Sequence, residues 1–209
     1  MVHFFETWDH PGGNVTGVYE KLHLKRSLSV VAAALPHVKK VVGIVDVSPT
    51  GDAILRQFEI EGAPPLAVEW DVRRVANFEE YQEFILELNQ DQSVQAIYPV
   101  VVTLADGESG RVTIPEIFRW TIEHSTKPEI PVNYSFCKLG LFGGASVDFE
   151  YMGRMAGTMV GSILEGTSAG ELAIREASNY AIVFNTGRAE MLGIDIPDDV
   201  LLASDVIFK

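Results

Sequence analysis

Apolar positions along the chain switch between two spacings. Residues 21–35 carry them at helical spacing and are closed by Pro36, whereas Val38 to Val47 is a continuous β-branched run ended by Ser48-Pro49-Thr50-Gly51, as a buried strand would be. A short helix is expected over 52–60, stopped by Gly62-Ala63-Pro64-Pro65. Leu66, Val68 and Trp70 then alternate like a half-buried strand. Asn77 is placed to cap a helix whose Phe78, Tyr81, Ile85 and Leu88 share a face, with Glu79 and Glu80 favourable in its first turn. Val94 to Val102 reads as a strand, Ile114 to Thr121 as a helix, and Ile130 to Phe136 as a further strand.

The same alternation runs to the C-terminus. Leu139 to Ala145 is strand-like. Asp148 precedes the most regular helix, with Phe149, Met152, Met155, Ala156, Met159, Val160 and Ile163 on its inner face. Tyr180 to Phe184 predicts a strand, 186–192 a short helix, and Pro197 to Phe208 a closing helix and strand. Strands and helices alternating in this way predict an α/β fold, a parallel sheet flanked by helices on both faces. No internal repeat or low-complexity linker interrupts it.

Composition narrows the partners. At 209 residues with 47% hydrophobic and 22% charged side chains, the chain can bury its own core. Sixteen Lys and Arg stand against 29 Asp and Glu, a net charge of -13, which repels phosphate backbones and argues against nucleic acid and anionic membranes as partners. Cys137 is the single cysteine, so no internal disulfide and no cysteine-based zinc site can form. No apolar run reaches the roughly 18 residues of a membrane span. The first residues lack the basic start and apolar core of a signal peptide, so the leader of an exported form is expected to lie outside this chain.

Motif by motif, no catalytic set emerges. Gly166-Thr167-Ser168-Ala169-Gly170 matches the hydrolase nucleophile pattern, but a helix rather than a strand is expected before the serine. His3, His10, His23, His37 and His124 are scattered without metal-ligand spacing. Pro11-Gly12-Gly13-Asn14 reads as a turn, since it lacks the lysine of a phosphate loop. Cys137 reads as a small buried hydrophobe.

Taken in order, several pieces resemble one family. Pro11 to Gly17 followed by a helix, then Leu35-Pro36-His37-Val38-Lys39-Lys40-Val41, is similar to the middle of ABC transporter substrate-binding proteins of the periplasmic-binding type I fold. The C-terminal pieces resemble the same family: Asp148-Phe149 with Met152-Gly153-Arg154, Ile163-Leu164-Glu165-Gly166, Asn185 with Ala189 and Leu192-Gly193, Ile196-Pro197, and Leu201 to Asp205. The resemblance implies a two-lobed protein that closes on a small solute, amino-acid-like in chemistry, and delivers it to ABC membrane subunits outside the cytoplasm, periplasmic or membrane-attached. It implies no catalysis and no cofactor.

Mapped onto this chain, the resemblance implies that residues 1–17 are a truncated crossover from lobe one. Residues 18–138 and 174–209 would form lobe two, and 139–173 a strand–helix remnant of lobe one. Candidate ligand contacts are Ser48, Thr50, Tyr98, Thr103, Ser135 and Asp148, although Tyr98-Pro99-Val100 carries no acid where the family tends to have one. Because most of lobe one is absent, the apolar face of 139–165 is expected to be covered by a second copy in a homodimer. Two other readings stay open: a ligand-sensing or interaction module acting through dimerisation, and a small Rossmann-like enzyme.

Overall fold

The computed structural model describes residues 13–63, 65–101, 104–107 and 110–209. The sheet grows outward from β2 (Lys40–Asp46), whose seven residues pair in parallel with β3 (Glu69–Val75) on one side and β4 (Ala96–Val100) on the other. A second set joins β7 (Gly143–Val147) to β9 (Tyr180–Asn185), and β9 to β10 (Val206–Phe208). The extended stretch 128–133 stitches the two sets together. Ile97 N–H donates to the Pro128 carbonyl at 3.0 Å and receives the Ile130 N–H on its own carbonyl at 2.8 Å. On the other side the Gly143 and Val147 N–H groups reach the Glu129 and Val132 carbonyls at 3.2 and 2.9 Å. The result is one sheet in the order β3, β2, β4, 128–133, β7, β9, β10. The last two strands run against the rest.

Helices cover both faces, as the alternation along β2 requires. Val41 and Val45 face a core shared with Leu24, Leu28 and Val31 of α1 (Leu24–Ala34), Phe58 of α2 (Pro49–Glu61) and Ala189 of α7 (Thr186–Leu192). Val42 and Ile44 face the other core, with Tyr81, Phe84 and Ile85 of α3 (Phe78–Gln90) and Ile117 and Phe118 of α4 (Ile114–His124). Each such side chain contributes about 1.5–3 kcal/mol by leaving water. Of the helix starts, the one behind Asn77 falls where the sequence places it, whereas α2 begins three residues before the expected 52 and takes in the turn read at Ser48 to Gly51. Ser48 caps α2 with Pro49 in its first position, and Asn77 accepts the Glu80 N–H at 2.9 Å to start α3.

Between the two cores, Arg188 of α7 is 3% exposed and forks onto the fully buried Glu129, with Nε to Oε2 at 3.1 Å and Nη2 to Oε1 at 2.5 Å. Its remaining donors reach the carbonyls of Ile122 and Ser125. Burial raises the Glu129 carboxyl pKa, and Arg188 offsets only part of that.

Three stretches differ from the sequence reading. The strand expected over 130–136 stops at Asn133, whose side chain accepts the Phe136 N–H at 3.3 Å and starts the short helix α5 (Tyr134–Lys138). Cys137 is buried on that helix rather than at a strand end. The strand expected from 139 begins at Gly143, since Gly140 turns the chain with φ 115° just before it. The half-buried strand around Leu66 to Trp70 starts at Glu69 and continues to Val75. Two pairs had no counterpart in the sequence reading: the hairpin of β5 (Leu104–Asp106) and β6 (Gly110–Val112), and the parallel pair of β1 (Val18–Tyr19) with β8 (Arg175–Glu176).

After β7 the chain leaves this body. Asp148 accepts the Tyr151 N–H at 2.8 Å and starts α6 (Phe149–Leu164), which packs beside β1. Of its residues only Met159 is buried. A last short helix, α8 (Asp198–Leu202), precedes β10.

Candidate functional site

Parallel strands place their carboxyl ends along one edge, and here those ends pass almost directly into helix starts. β2 leads to Ser48, β3 to Asn77, the 128–133 stretch to Asn133 and β7 to Asp148. Each of these four side chains accepts an N–H from the first turn of its own helix. Four helix N-termini therefore collect at the edge, with their partial positive charge and spare N–H groups, where open α/β sheets receive ligands.

Three of the six candidate contacts lie on this edge with Ser135 beside them. Ser48 is half-buried; its hydroxyl donates to Asp46 Oδ1 at 2.5 Å while accepting the Gly51 N–H at 3.0 Å. Thr50 is exposed in the first turn of α2. Asp148 is half-buried, with one oxygen engaged by its cap. Ser135 is exposed in the first turn of α5, a helix rather than the strand expected there.

Tyr98 is elsewhere. It sits in the middle of β4 with no exposure, packed against Phe58 and Trp70 at ring separations of 5.8 and 6.0 Å. Burial raises its phenol pKa well above the usual value, and the hydroxyl is turned toward Ser27. Strand alternation predicts which face a residue takes, but not that β4 would be buried on both. Thr103 lies outside the described residues.

The pairing of β1 with β8 is what sequence reasoning missed. β1 and β8 lie 157 positions apart and pair in register, Val18 with Arg175 and Tyr19 with Glu176. The Tyr19 hydroxyl donates to Glu176 at 2.9 Å, Lys21 Nζ reaches the same carboxylate at 2.7 Å, and the Thr16 hydroxyl donates to the Leu172 carbonyl at 2.8 Å. Two-residue strands carry no periodicity, so no local signal could have found them. Gly166 to Gly170 follows α6 and enters a single 3₁₀ turn at Ala169–Glu171, without the preceding strand a nucleophile elbow needs. Among the described residues no three His, Cys, Asp or Glu side chains gather as a metal site, and no helix is long and apolar enough to cross a membrane.

Comparison with known proteins adds the following. The family described as ABC transporter substrate binding protein matches residues 2–207. Among solved structures, the chain is similar to an ABC domain from Streptococcus pneumonia in complex with L-Trp: TM-score 0.71, 22% identity, covering 96% of this chain and 67% of that one. It is also similar to a conserved domain protein from Vibrio cholerae, with TM-score 0.74, 20% identity, and coverage of 98% and 67%. A third similar structure is the ligand-free, open form of a substrate binding protein with adhesive properties from Clostridium difficile, with TM-score 0.67, 18% identity, and coverage of 96% and 64%. This chain thus spans about two thirds of the length of each. No curated protein matches it significantly.

Proposed function

Because the chain belongs to the ABC transporter substrate-binding protein family, we propose that its carboxyl-end edge is one wall of a cleft that captures a small solute. The observation that carries this reading is the convergence of four capped helix N-termini at that edge. Such an edge favours the carboxylate of an amino-acid-like molecule, held by N–H groups and by hydroxyls such as those of Thr50 and Ser135. The similar pneumococcal protein that holds L-Trp supports that chemical class. The bound solute passes to ABC membrane subunits, the protein acts outside the cytoplasm, and no covalent step is involved.

In this reading residues 18–138 and 174–209 are lobe two; of the 139–173 stretch expected with lobe one, β7 pairs with β9 in the lobe-two sheet, while the arm after it and residues 1–17 belong with the opposite wall. Of the 139–165 stretch expected to be covered by a second copy, Leu141 to Val147 are buried in this chain's own sheet, so the opposite wall docks on α6, supplied by a second copy of this chain. The exposed apolar side of α6 favours this arrangement: Phe149 is 42% and Val160 53% exposed.

A thermal-shift series over amino acids, sugars and small organic acids tests the solute. Saturating binding raises the melting temperature by mass action, and the rise should be lost in Asp148→Asn with Thr50→Val. Flat melting curves across every class, at protein concentrations where the dimer is formed, would remove the solute reading. Light scattering tests the assembly separately: a dimer mass at micromolar concentration is expected, and a clean monomer would remove it.

A further inference from the structure

Beside the crossover pair lies an open cavity of about 440 Å3, lined among others by Lys21, His23, Lys25, Arg26, Glu61 and Tyr180. Three of these six are cations in a chain of net charge -13. Two of the charged groups there are already committed. Lys21 is paired with Glu176, and the Glu61 carboxylate accepts the Leu22 and Leu24 N–H groups at 3.0 and 2.7 Å and the Gln57 amide at 3.0 Å. Lys25 and Arg26 are not: among the described residues neither has a carboxylate within ion-pair distance. Arg26 lies over the Tyr180 ring at 5.9 Å.

The start of α1 is unusual at the same place. His23 precedes the helix in the left-handed region, φ 58°, the single non-glycine residue to do so among those described, and its side chain does not cap. The N–H groups of Lys25 and Arg26, second and third in the helix, have no intrahelical acceptor. His23 itself is 5% exposed and tilted against Tyr180 at 5.4 Å. Its Nε2 is buried without a hydrogen-bond partner among the described residues. Two unpaired cations and two helix N–H groups without an intrahelical acceptor thus stand together at one cavity, a set of donors that an anion satisfies.

We propose that this cavity is an anion site at the crossover. It takes a small organic molecule bearing a carboxylate or phosphate, whose oxygens are held by Lys25, Arg26 and the opening N–H groups of α1, with its apolar body against Tyr180 and Ile60. The volume exceeds what inorganic phosphate fills and suits a molecule with an aromatic or aliphatic body. Its wall residue Tyr180 pairs with Val147 beside Asp148, but none of the six candidate contacts lines the cavity, and the proposal does not rest on the solute reading. Its residues directly follow β1 and β8, so an occupant ties the two crossover strands to the body.

Titration calorimetry and NMR on the full chain test it, with inorganic phosphate, phenyl phosphate and phenylacetate as probes. The phenyl anions should saturate at least tenfold more tightly than inorganic phosphate and move the His23 and Tyr180 ring signals. Whichever of the two binds better identifies the anionic group. Lys25→Gln with Arg26→Gln, both exposed and expected to fold as the parent does, should weaken binding tenfold or more. Ser48→Ala with Asp148→Asn should leave it unchanged. Saturation that is indifferent to the Lys25 and Arg26 changes, or no saturation with any probe, overturns the proposal.

Discussion

Helices α1 and α6 carry apolar stripes of similar strength and meet opposite fates. In α1, Leu24, Leu28 and Val31 have no exposure, because the helix lies across β7 and the Ser27 hydroxyl donates to the Ala145 carbonyl. In α6 the stripe has one buried member, Met159, while Leu164 is 83% exposed. The apolar residues do not make the difference. The sheet beneath α1 is built by this chain, whereas the described residues leave most of α6 uncovered. A hydrophobic stripe says that a helix will be covered, and the topology says by what.

The sharpest way to break that comparison is through each region's arginine. Arg188 in the body holds the buried Glu129, and Arg188→Ala leaves that carboxylate buried alone, at a cost of about 3–5 kcal/mol. Arg154 in α6 pairs with Glu150 one turn away at 2.7 Å, in the open, and Arg154→Ala should change stability by no more than about 0.5 kcal/mol. Urea unfolding monitored by circular dichroism measures both. Equal losses would mean that α6 is not separable from the body.

Apolar truncation is the next largest contrast. Leu28→Ala removes a side chain with no exposure and should cost about 2–5 kcal/mol, whereas Leu164→Ala should stay within about 0.5 kcal/mol. Cys137 reports on the same boundary without a substitution. Burial pushes its thiol up to about 12, so at pH 8 it should resist alkylation until the body unfolds. Conditions that fray α6 alone should leave it unreactive. Labelling that tracks the loss of α6 helicity would join the two regions energetically.

Legibility followed the same division. Elements whose caps and stripes are local, such as α3 behind Asn77 or α7 over 186–192, could be read within a residue or two because a side chain and its own turn settle them. The stretch after Pro131 could not. Its Val, Tyr and Phe favour a strand, but Asn133 caps the turn that follows and wins over weak β-propensity. Ser48 and Asp148, like Tyr98, come from the family resemblance, and the structure places these two at strand ends as helix caps. Tyr98 looked the same in sequence and is core, since only the assembled sheet shows that β4 has no open face. The crossover and its cavity depend on residues more than 150 positions apart.

A smaller effect should appear with pH at the start of α1. Burial, assisted by Lys21, lowers the pKa of His23 from its ordinary 6.5. Below that value the unfolded chain takes up a proton that the fold resists. Stability is therefore full above about pH 6.5 and is lost as pH falls through the lowered folded value. His23→Asn, which tolerates the left-handed backbone, should flatten this part of the profile. Identical slopes between pH 7.5 and 5 in parent and variant would show that the ring is not held neutral.

The glycine row of α6 carries the smallest effect and bears most directly on what covers that helix. Gly153, Gly157 and Gly161 stand at four-residue spacing, and a methyl group added to any of them would meet nothing within 4 Å. Alanine at each should therefore stabilise the isolated chain by roughly 0.5–1 kcal/mol, through helix propensity alone. Three glycines kept on one face at that cost fit a surface approached closely by another backbone. The two consequences have opposite signs. If the row is a docking face, Gly157→Ala raises the unfolding midpoint of the dilute monomer while weakening its self-association, because the new methyl holds the partner backbone off. Unfolding at low concentration and sedimentation equilibrium at high concentration separate the two. A variant that gains stability and associates as tightly as the parent would move the contact off this row and onto the Phe149 and Val160 side of the helix.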